Sequence, residues 1–326
     1  MQHLDVQVIE QALAWARAGE TVWLCTVLAT FGSSPREPGS LLVARSDGRH
    51  VGSLSGGCVE EDFLERLQGG EFERAVTILR YGDPEGPQGS RIALPCGGIL
   101  QVLIERLPAN TATLAQLEIL RSTLLGQRHL IRCVDLQSGE THFLEDDGLG
   151  PRVVEQDGRD SVQLRVGPAA RLIIAGISPV SVACAEFART LGFEVIVRDP
   201  REEAQGGFNV PGIEVQPVLP SLFIAGGGCH AATAVVALTH DPRIDDLAMI
   251  EAVRTPAFYI GVMGSRQTSR VRAERLRRSG GLSEDEIARL HMPIGLALGS
   301  KTPAEIALAV MADIVRVHRG RPRDAL

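Results

Sequence analysis

The sequence predicts an α/β protein in two parts, a mixed α/β N-terminal domain and a C-terminal domain built on a mainly parallel sheet. Its 326 residues exceed the size at which a single hydrophobic core grows efficiently, about 250–300 residues. From residue 170 onward, short apolar strand patterns alternate with amphipathic helix patterns, which is typical of parallel strands joined by crossover helices. We place the two domains at residues 1–107 and 169–326, with a connecting or accessory region at 108–168.

The N-terminal domain opens with an amphipathic helix at residues 5–18, for which Asp5 is the predicted N-cap. A strand is predicted at 21–30, and the run SLLVARSDGRHVGSL predicts a hairpin or paired strands. The run SGGCVEEDF predicts a glycine turn that enters a helix, because acidic residues suit a first helical turn. Cys58 is therefore expected at or just before a helix N-terminus.

Composition disfavours several classes of function. The net charge is −7 and the pI is about 5.7, so the chain lacks the broad basic field that nucleic-acid binding needs. No apolar run approaches the roughly 18–20 residues that cross a bilayer, and the N-terminus lacks the pattern of a signal peptide. We therefore expect a cytoplasmic protein that binds neither nucleic acid nor membrane. The six cysteines form no CxxC pair, which disfavours a disulfide framework and a zinc knuckle.

Cys58 is the most informative single residue. A thiol beside a helix N-terminus feels a partial positive charge and free backbone N–H groups, which together favour the thiolate. Such a thiolate can attack, carry sulfur or bind a soft metal. Gly56 and Gly57 precede it and permit a ligand to approach the backbone closely. The alternative is a small buried cysteine that packs the turn.

A second cysteine, Cys96, lies in a similar loop. Proline precedes it, and Gly97 and Gly98 follow it, so backbone amides are exposed around a thiol. Beside the first loop, this pattern suggests two cysteine loops that face one cavity. A third segment carries Ser33, Ser34 and Arg36, whose hydroxyl and guanidinium groups could hold a phosphate or a polar ring, although an ordinary loop explains it equally well.

The C-terminal domain is Rossmann-like but carries an incomplete dinucleotide fingerprint. The strand RLIIA, a turn at Gly176, a helix and the strand FEVIVRD form one βαβ unit. Asp199 ends that unit and is placed to bind a ribose hydroxyl. Ser178 and Ser181 stand where the second and third glycines of the fingerprint would be, so a pyrophosphate would be more crowded there.

Other turns in this domain also carry polar groups. Gly264, Ser265 and Arg266 follow a predicted strand and form a candidate phosphate site at the carboxyl edge of the sheet. The run Leu298-Gly299-Ser300-Lys301-Thr302 is a third candidate, for which a helix cap is the favoured interpretation. No residue pattern predicts a metal bound directly by the protein, and no catalytic residue is assigned.

Taken in order, the runs FGSSPREPGS, GSLSGGCVEEDF, LPCGG, GISP, ALTHDPRIDDLA, FYIGVMGSR and IGLALGSKTPAEIA resemble the XdhC/CoxI family of molybdoenzyme maturation factors. The resemblance covers nearly the whole chain, and the first three motifs are specific in combination. It implies an XdhC/CoxI-type N-terminal domain that carries the cysteine loops, followed by a Rossmann-like domain.

The resemblance also implies a function. A protein of this family would bind the molybdenum cofactor, as molybdopterin or its nucleotide form, and carry it as cargo. It would protect the cofactor while a cysteine desulfurase supplies the terminal sulfido ligand. It would then help to insert the cofactor into the large subunit of an apo-enzyme of the xanthine dehydrogenase or aldehyde oxidoreductase type. A cofactor nucleotidyltransferase is a further expected partner, and a homodimer is the expected assembly.

Two hypotheses from other classes stay open at this point. One is an NAD(P)-dependent oxidoreductase that uses the Gly176 turn and Asp199, with Cys58 as a catalytic thiol. The other is a redox-sensing scaffold in which Cys58 and Cys96 form a disulfide. The chain is more readily interpreted as a maturation factor than as an enzyme.

Overall fold

The computed structural model describes residues 3–31, 36–82, 98–146, 151–156 and 160–322. The chain divides into two compact units, Leu4–Pro168 and Ala169–Leu326. The mixed α/β character of the first and the parallel sheet of the second confirm the predicted fold class. The finer division of the first unit into a domain and an accessory region stays a prediction.

The N-terminal unit begins with a five-stranded antiparallel sheet. Its elements are α1 (Leu4–Arg17), β1 (Val22–Phe31), β2 (Leu41–Ala44), β3 (His50–Gly52), α2 (Cys58–Gln68), β4 (Val76–Tyr81) and β5 (Ile99–Leu107). The strand order is β3-β2-β1-β5-β4, and every neighbouring pair is antiparallel. The predicted hairpin is confirmed as β2 and β3.

Helix α2 packs on one face of this sheet. Val59, Phe63 and Leu67 recur every four residues, the spacing that places side chains on one helix face, and each is at most 3% exposed. They share a core cluster with sheet residues that include Cys25 and Val102. The start of α2 is therefore fixed against the sheet by the apolar side of its own first turns.

A second antiparallel sheet completes this unit. Its elements are α3 (Thr111–Leu124), β6 (Leu130–Asp135), β7 (Thr141–Glu145), β8 (Val153–Gln156) and β9 (Ser161–Arg165), with the strand order β7-β6-β9-β8. Val134, Val162 and Leu164 of this sheet pack against Leu28 and Leu103 of the first. The two sheets thus share a core.

Asp5 is not the N-cap of α1, so that prediction was wrong. The helix begins one residue earlier, at Leu4, and the Asp5 side chain lies in its first turn, only 5% exposed. Its Oδ1 accepts a hydrogen bond from the Leu41 N–H at 3.4 Å. The carboxylate therefore joins the helix to β2 instead of capping it.

The C-terminal unit is a three-layer structure around a six-stranded parallel sheet. Its strands are β10 (Arg171–Ala175), β11 (Glu194–Arg198), β12 (Val215–Gln216), β13 (Thr233–Ala237), β14 (Tyr259–Val262) and β15 (Leu290–His291). Its helices are α4 (Pro179–Thr190), α5 (Glu202–Gln205), α6 (Pro220–Phe223), α7 (Pro242–Ala252), α8 (Arg266–Gly280), α9 (Glu284–Ala288) and α10 (Pro303–His318), and a short π-helical turn spans Ile224–Gly228.

The strand order of this sheet, β12-β11-β10-β13-β14-β15, is that of a doubly wound fold. Helices α4 and α10 cover one face, where Cys184 and Val310 pack on Ile174. Helices α7 and α8 cover the other, where Met249 and Leu276 lie in one core cluster with strand residues. Strand order reverses between β10 and β13, which is where ligands bind in such folds.

The runs from Ser283 to Glu286 and from Thr302 to Glu305 predict two helix starts with capping boxes, and the structure confirms both. Ser283 and Glu286 cap α9, and Thr302 and Glu305 cap α10, each pair exchanging hydrogen bonds between side chain and backbone. Among the described residues, no helix combines the length and the apolar character that crossing a bilayer requires.

A buried ion pair between Arg132 and Glu105 provides a stability test, since their side chains are 1% and 2% exposed. We predict that Arg132→Met lowers the free energy of unfolding of the N-terminal unit by about 3–5 kcal/mol, because it leaves a buried carboxylate without its cation. The double variant Arg132→Met, Glu105→Leu should recover most of that loss.

Urea denaturation measures this effect. Both tryptophans of the chain, Trp15 and Trp23, lie in the N-terminal unit, so their fluorescence follows the unfolding of that unit. Equal losses of stability in the single and double variants would contradict the prediction.

Candidate functional site

The loop at residues 53–57 joins β3 to α2 and is folded around one side chain, the carboxylate of Glu60. Its Oε1 accepts hydrogen bonds from the Ser53 hydroxyl and from the amides of Leu54, Ser55 and Gly56, at 2.7, 2.7, 2.9 and 3.1 Å. Its Oε2 accepts from the Ser55 hydroxyl at 2.6 Å and from the Gly57 amide at 2.9 Å. A single carboxylate thus organises the whole turn.

The charge of Glu60 is stabilised by these bonds. The side chain belongs to a residue only 6% exposed. Burial alone would raise its pKa, but the hydrogen bonds from Ser55, Ser53 and the loop amides outweigh burial and hold the pKa of Glu60 far below its ordinary range. Glu60 is therefore ionised at neutral pH and is not a general acid. The sequence left open an acid or base role for Glu60 close to Cys58, beside the more usual role of a first-turn acid that compensates the helix dipole.

The glycines of this loop serve the backbone conformation. Gly56 and Gly57 have φ angles of +92° and +150°, values that residues with a Cβ rarely adopt. With those angles, both amides point at Glu60. The close approach of a ligand to these glycines stays a prediction, but their amides already donate hydrogen bonds to the chain's own carboxylate.

Cys58 is the first residue of α2, as predicted. The helix begins there because Gly57 is the N-cap residue and the Glu60 carboxylate, at the third helical position, accepts from its amide. Arg36 lies beside this loop, and its Nε donates to the carbonyl oxygen of Ser53 at 3.2 Å. The structure thus brings Arg36 together with the segment that leads into Cys58.

The other predicted groups of this domain lie in or beside segments outside the described residues. Ser33, Ser34, Cys96 and Gly97 are outside them, and Gly98 is buried immediately before β5. The flanks of these segments are described. Within the first sheet, Phe31 pairs with Ile99.

The described residues that flank these segments all lie towards one edge of the five-stranded sheet. Tyr81 pairs with Leu100, so β4 ends where β5 begins. Leu41 pairs with Thr26 of β1, and Gly52 pairs with Leu42, so β2 begins and β3 ends towards that same edge. The segments that follow β1, β3 and β4 therefore all leave the sheet at one edge. These are the segments that carry Ser33 to Arg36, Cys58 and Cys96.

In the C-terminal unit, Asp199 ends β11 where the sequence places it, but its carboxylate is fully buried. Its Oδ2 accepts from the Ile177 amide at 2.6 Å and from Arg201 at 2.6 Å, and its Oδ1 accepts from the Arg201 amide at 2.8 Å. In this conformation it offers no free oxygen to a ribose hydroxyl, which disfavours both the ribose-binding role and the oxidoreductase hypothesis.

The turn at Gly176, beside Asp199, is also packed against neighbouring groups. Gly176 has a φ angle of +81°, and a Cβ there would lie 2.0 Å from the Thr239 methyl carbon, so only glycine fits. Ser178 caps α4 by accepting from the Ser181 amide, and Pro179 supplies no N–H. The turn packs on its neighbours and caps its own helix.

The two remaining candidate turns, at 298–302 and 264–266, differ from each other. At Lys301 and Thr302, the backbone amides donate to the Glu305 carboxylate at 2.8 and 3.0 Å, which confirms the helix-cap interpretation. Gly264 to Arg266 lead into α8, whose first turn contains no acidic residue. Within the part of the chain that the structure describes, no group of three or more metal-ligating side chains is present.

Two family models match this chain, one in each of its two units. The model described as the XdhC and CoxI family matches residues 15–82, and the model described as the XdhC Rossmann domain matches residues 172–314. The first match contains Arg36, Glu60 and the Cys58 loop. The second contains the whole parallel sheet from Leu172 onward.

Two curated relatives span nearly the whole chain. A protein of Bacillus subtilis, described as a probable subunit of xanthine dehydrogenase, is 27% identical over 322 residues, covering 92% of this chain and 94% of that protein. The molybdenum cofactor insertion chaperone PaoD of Escherichia coli is 27% identical over 327 residues, covering 96% and 89%. A crystal structure described as a xanthine dehydrogenase from Bacillus halodurans shares the fold, with a TM-score of 0.70 and 22% identity over 100% of this chain and 98% of that one.

The role of Glu60 leads to a pH-dependent prediction. At pH 7, Glu60→Gln should lower the free energy of unfolding of the N-terminal unit by at least about 2 kcal/mol, because charge-assisted hydrogen bonds are lost. The folded-state pKa of Glu60 is depressed, so the unfolded chain takes up the proton first. Below the unfolded pKa of about 4.3, the difference between wild type and variant should narrow by about 1.4 kcal/mol per pH unit.

Glu61→Gln is the matched control, because Glu61 is the neighbouring first-turn acid and is exposed. Its effect should stay within about 0.5 kcal/mol of zero at both pH values. Urea unfolding followed by tryptophan fluorescence at pH 7 and pH 3.5 gives the comparison. A Glu60→Gln deficit that is the same at both pH values would show that the carboxylate charge does not organise the loop.

Proposed function

The chain belongs to the XdhC and CoxI family, and from that premise we propose that it is a chaperone that binds the molybdenum cofactor and helps to insert it into an apo-molybdoenzyme. PaoD, which carries that description in Escherichia coli, aligns with this chain over 96% of its length. Handling of the cofactor as cargo, not turnover of a substrate, is the activity proposed. The chaperone hypothesis accordingly takes precedence over the oxidoreductase hypothesis.

The observation that carries the proposal is that the described flanks of three segments lie at one edge of the first sheet. The described residues that flank them are Phe31, Gly52, Tyr81 and Ile99. Between those flanks lie two cysteines, two serines and an arginine. We propose that the sulfur donors and phosphate-binding groups of these segments act together on the cofactor, and the shared edge of their flanking residues supports this proposal.

Each group has a separate proposed role. Cys58 and Cys96 supply sulfur atoms, the ligand type that suits a soft metal centre. Arg36 supplies a charge-assisted hydrogen-bond donor for the phosphate of the cofactor, with the Ser33 and Ser34 hydroxyls beside it in sequence. The glycine amides of the Cys58 loop are not assigned to phosphate, since they donate to Glu60. Their role is to hold the turn that begins α2 at Cys58.

The individual steps of cofactor handling that we propose are those that the resemblance to the family implies. We propose that the chain protects the cofactor while a cysteine desulfurase supplies sulfur and then delivers it to the large subunit of a xanthine dehydrogenase or aldehyde oxidoreductase. A cofactor nucleotidyltransferase is the proposed donor, and a homodimer is the proposed assembly. The cytoplasm is the compartment in which we propose that this chain acts.

A double substitution tests the cysteine assignment. Cys58→Ala combined with Cys96→Ala should lower the molybdenum and pterin that copurify with the protein by at least about tenfold, because both proposed sulfur donors are removed. The protein is expressed in a host that makes the cofactor and is purified without oxygen. Molybdenum is measured by elemental analysis and pterin by mass spectrometry, and activation of an apo-enzyme of the xanthine dehydrogenase type is then assayed.

Cys133→Ala combined with Cys229→Ala is the matched control, because these two cysteines lie outside the three segments. This control should retain cofactor and activation. If the Cys58, Cys96 variant also retains both, the cysteine assignment is wrong. If wild-type protein carries neither pterin nor metal under a saturating supply, the chaperone proposal itself is wrong.

A further inference from the structure

The carboxyl edge of the parallel sheet in the C-terminal unit carries an open cavity of about 400 Å³. Its walls are aliphatic and include Met263, Ile294, Leu296 and Leu298, while His240 and Ser300 add polar groups. Met263 directly follows β14, and His240 follows β13 by three residues. The cavity therefore lies beyond the ends of the strands on one side of the point where strand order reverses, the place where open α/β sheets bind ligands.

A buried network fixes the two strand ends that line the cavity. Asp245 accepts hydrogen bonds from the Thr239 amide and hydroxyl and from the His240 amide, the last at 2.9 Å. Arg272 donates to Asp245 at 3.2 Å and to the Met263 carbonyl oxygen at 2.8 Å. One arginine, 2% exposed, thus connects the end of β13 with the end of β14.

His240 is held in a strained conformation by this network. Its φ angle is +68°, and it is the one non-glycine residue with a positive φ in the described part of the chain. Such a conformation persists only where the surroundings enforce it, and it occurs often at binding sites. The strand ends at this cavity are therefore preorganised.

On the other side of the point where strand order reverses, the chain's own groups close the ends of β10 and β11. There the Gly176 turn packs on Thr239, and the Asp199 carboxylate accepts the Ile177 amide that would face a phosphate. A dinucleotide needs both sides of such a crevice, one nucleotide unit on each. Only the side at β13 and β14 has space, and about 400 Å³ falls near the lower end of the roughly 300–1,000 Å³ of small-molecule sites.

We propose that this cavity binds one nucleoside monophosphate unit, with the base between the aliphatic walls and the phosphate at the start of α8. Gly264 lines the cavity and leads directly into the α8 residues Ser265 and Arg266. Within the described residues, the Arg266 guanidinium has no hydrogen-bond or ion-pair partner, and it is exposed. A guanidinium and a helix start without a first-turn acid together suit a phosphate dianion.

This inference goes beyond the chaperone proposal and does not depend on it, because it concerns only residues of the C-terminal unit. The same chemistry is present in two ligands. One is the nucleotide half of a dinucleotide form of the pterin cofactor, and the other is a free adenylate. CMP and AMP distinguish them, and preference for either places a nucleotide in the cavity.

Calorimetric titration of the full chain with CMP, AMP and inorganic phosphate at low salt is the test. At least one nucleotide should bind more tightly than phosphate alone by tenfold or more, because the base is buried against apolar walls. Leu298→Asp should weaken that binding at least about tenfold, since it places a charge in the apolar wall. Arg266→Ala should weaken it about fivefold or more, because the phosphate loses its cation.

Matched controls exist within the C-terminal unit. Leu308→Asp replaces another leucine of similar exposure, 52% against 56% for Leu298, that does not line the cavity. Arg278→Ala removes an exposed arginine at the other end of α8. Both should bind nucleotide within twofold of wild type, and circular dichroism confirms that all four variants are folded.

NAD⁺ is the final probe. It should bind no more than threefold more tightly than AMP, because the Gly176 side is closed. Tenfold tighter binding of NAD⁺, no binding of either mononucleotide, or unchanged affinity in Leu298→Asp would each overturn the inference. The Cys58→Ala, Cys96→Ala variant should bind the nucleotide as wild type does, so failure of this inference and failure of the chaperone proposal give different results.

Discussion

The Glu60 carboxylate is the interaction on which the architecture of the N-terminal site depends. Several backbone amides converge in the loop at 53–57, and buried amides need an acceptor. Glu60, in the helix α2 that follows the loop, is that acceptor, so these loop amides are hydrogen-bonded without a ligand. The positive end of α2 is thus already compensated by a carboxylate of its own first turn.

Carboxylates of the chain accept backbone amides at other turns as well. Glu305 accepts the amides before α10, Glu286 accepts the amide before α9, and Asp199 accepts the amide after β10. Turns that resemble anion sites in the sequence are thus filled by the chain's own carboxylates. The Gly264 turn differs, because the first turn of α8 contains no acid. An internal carboxylate competes with any phosphate for the same amides, so these turns differ according to whether a carboxylate of the chain accepts their amides.

The sequence predicted local features well and tertiary ones unevenly. Helix α1 and the caps at Ser283 and Thr302 depend on residues within one or two turns of each other, and these were predicted. The closed state of Asp199 was not predicted, because Ile177 lies on a neighbouring strand end and the burial of a carboxylate is set by packing. Asp5 was assigned as a cap because its spacing fits one, whereas its actual partner is a strand amide 36 residues away. The Glu60 loop had a usable signal, a glutamate at the third helical position after a glycine turn, but that pattern does not reveal how many amides converge on it.

Sheet topology arranges the strand ends differently in the two units. In the antiparallel sheet, β1, β3 and β4 end at the edge where β2 and β5 begin, and the β2–β3 hairpin turn lies at the opposite edge. Strand ends that are distant in sequence therefore lie at one edge of this sheet. In the parallel sheet, every strand ends at the same edge by construction, and packing among the turns decides which part of that edge is open. The buried Asp245 and Arg272 hold the β13 and β14 ends in place, while Asp199 and Arg201 close the β10 and β11 ends. The two sheets thus differ in their strand ends, since the antiparallel sheet brings the ends of β1, β3 and β4 to one edge, whereas packed turns close part of the edge of the parallel sheet.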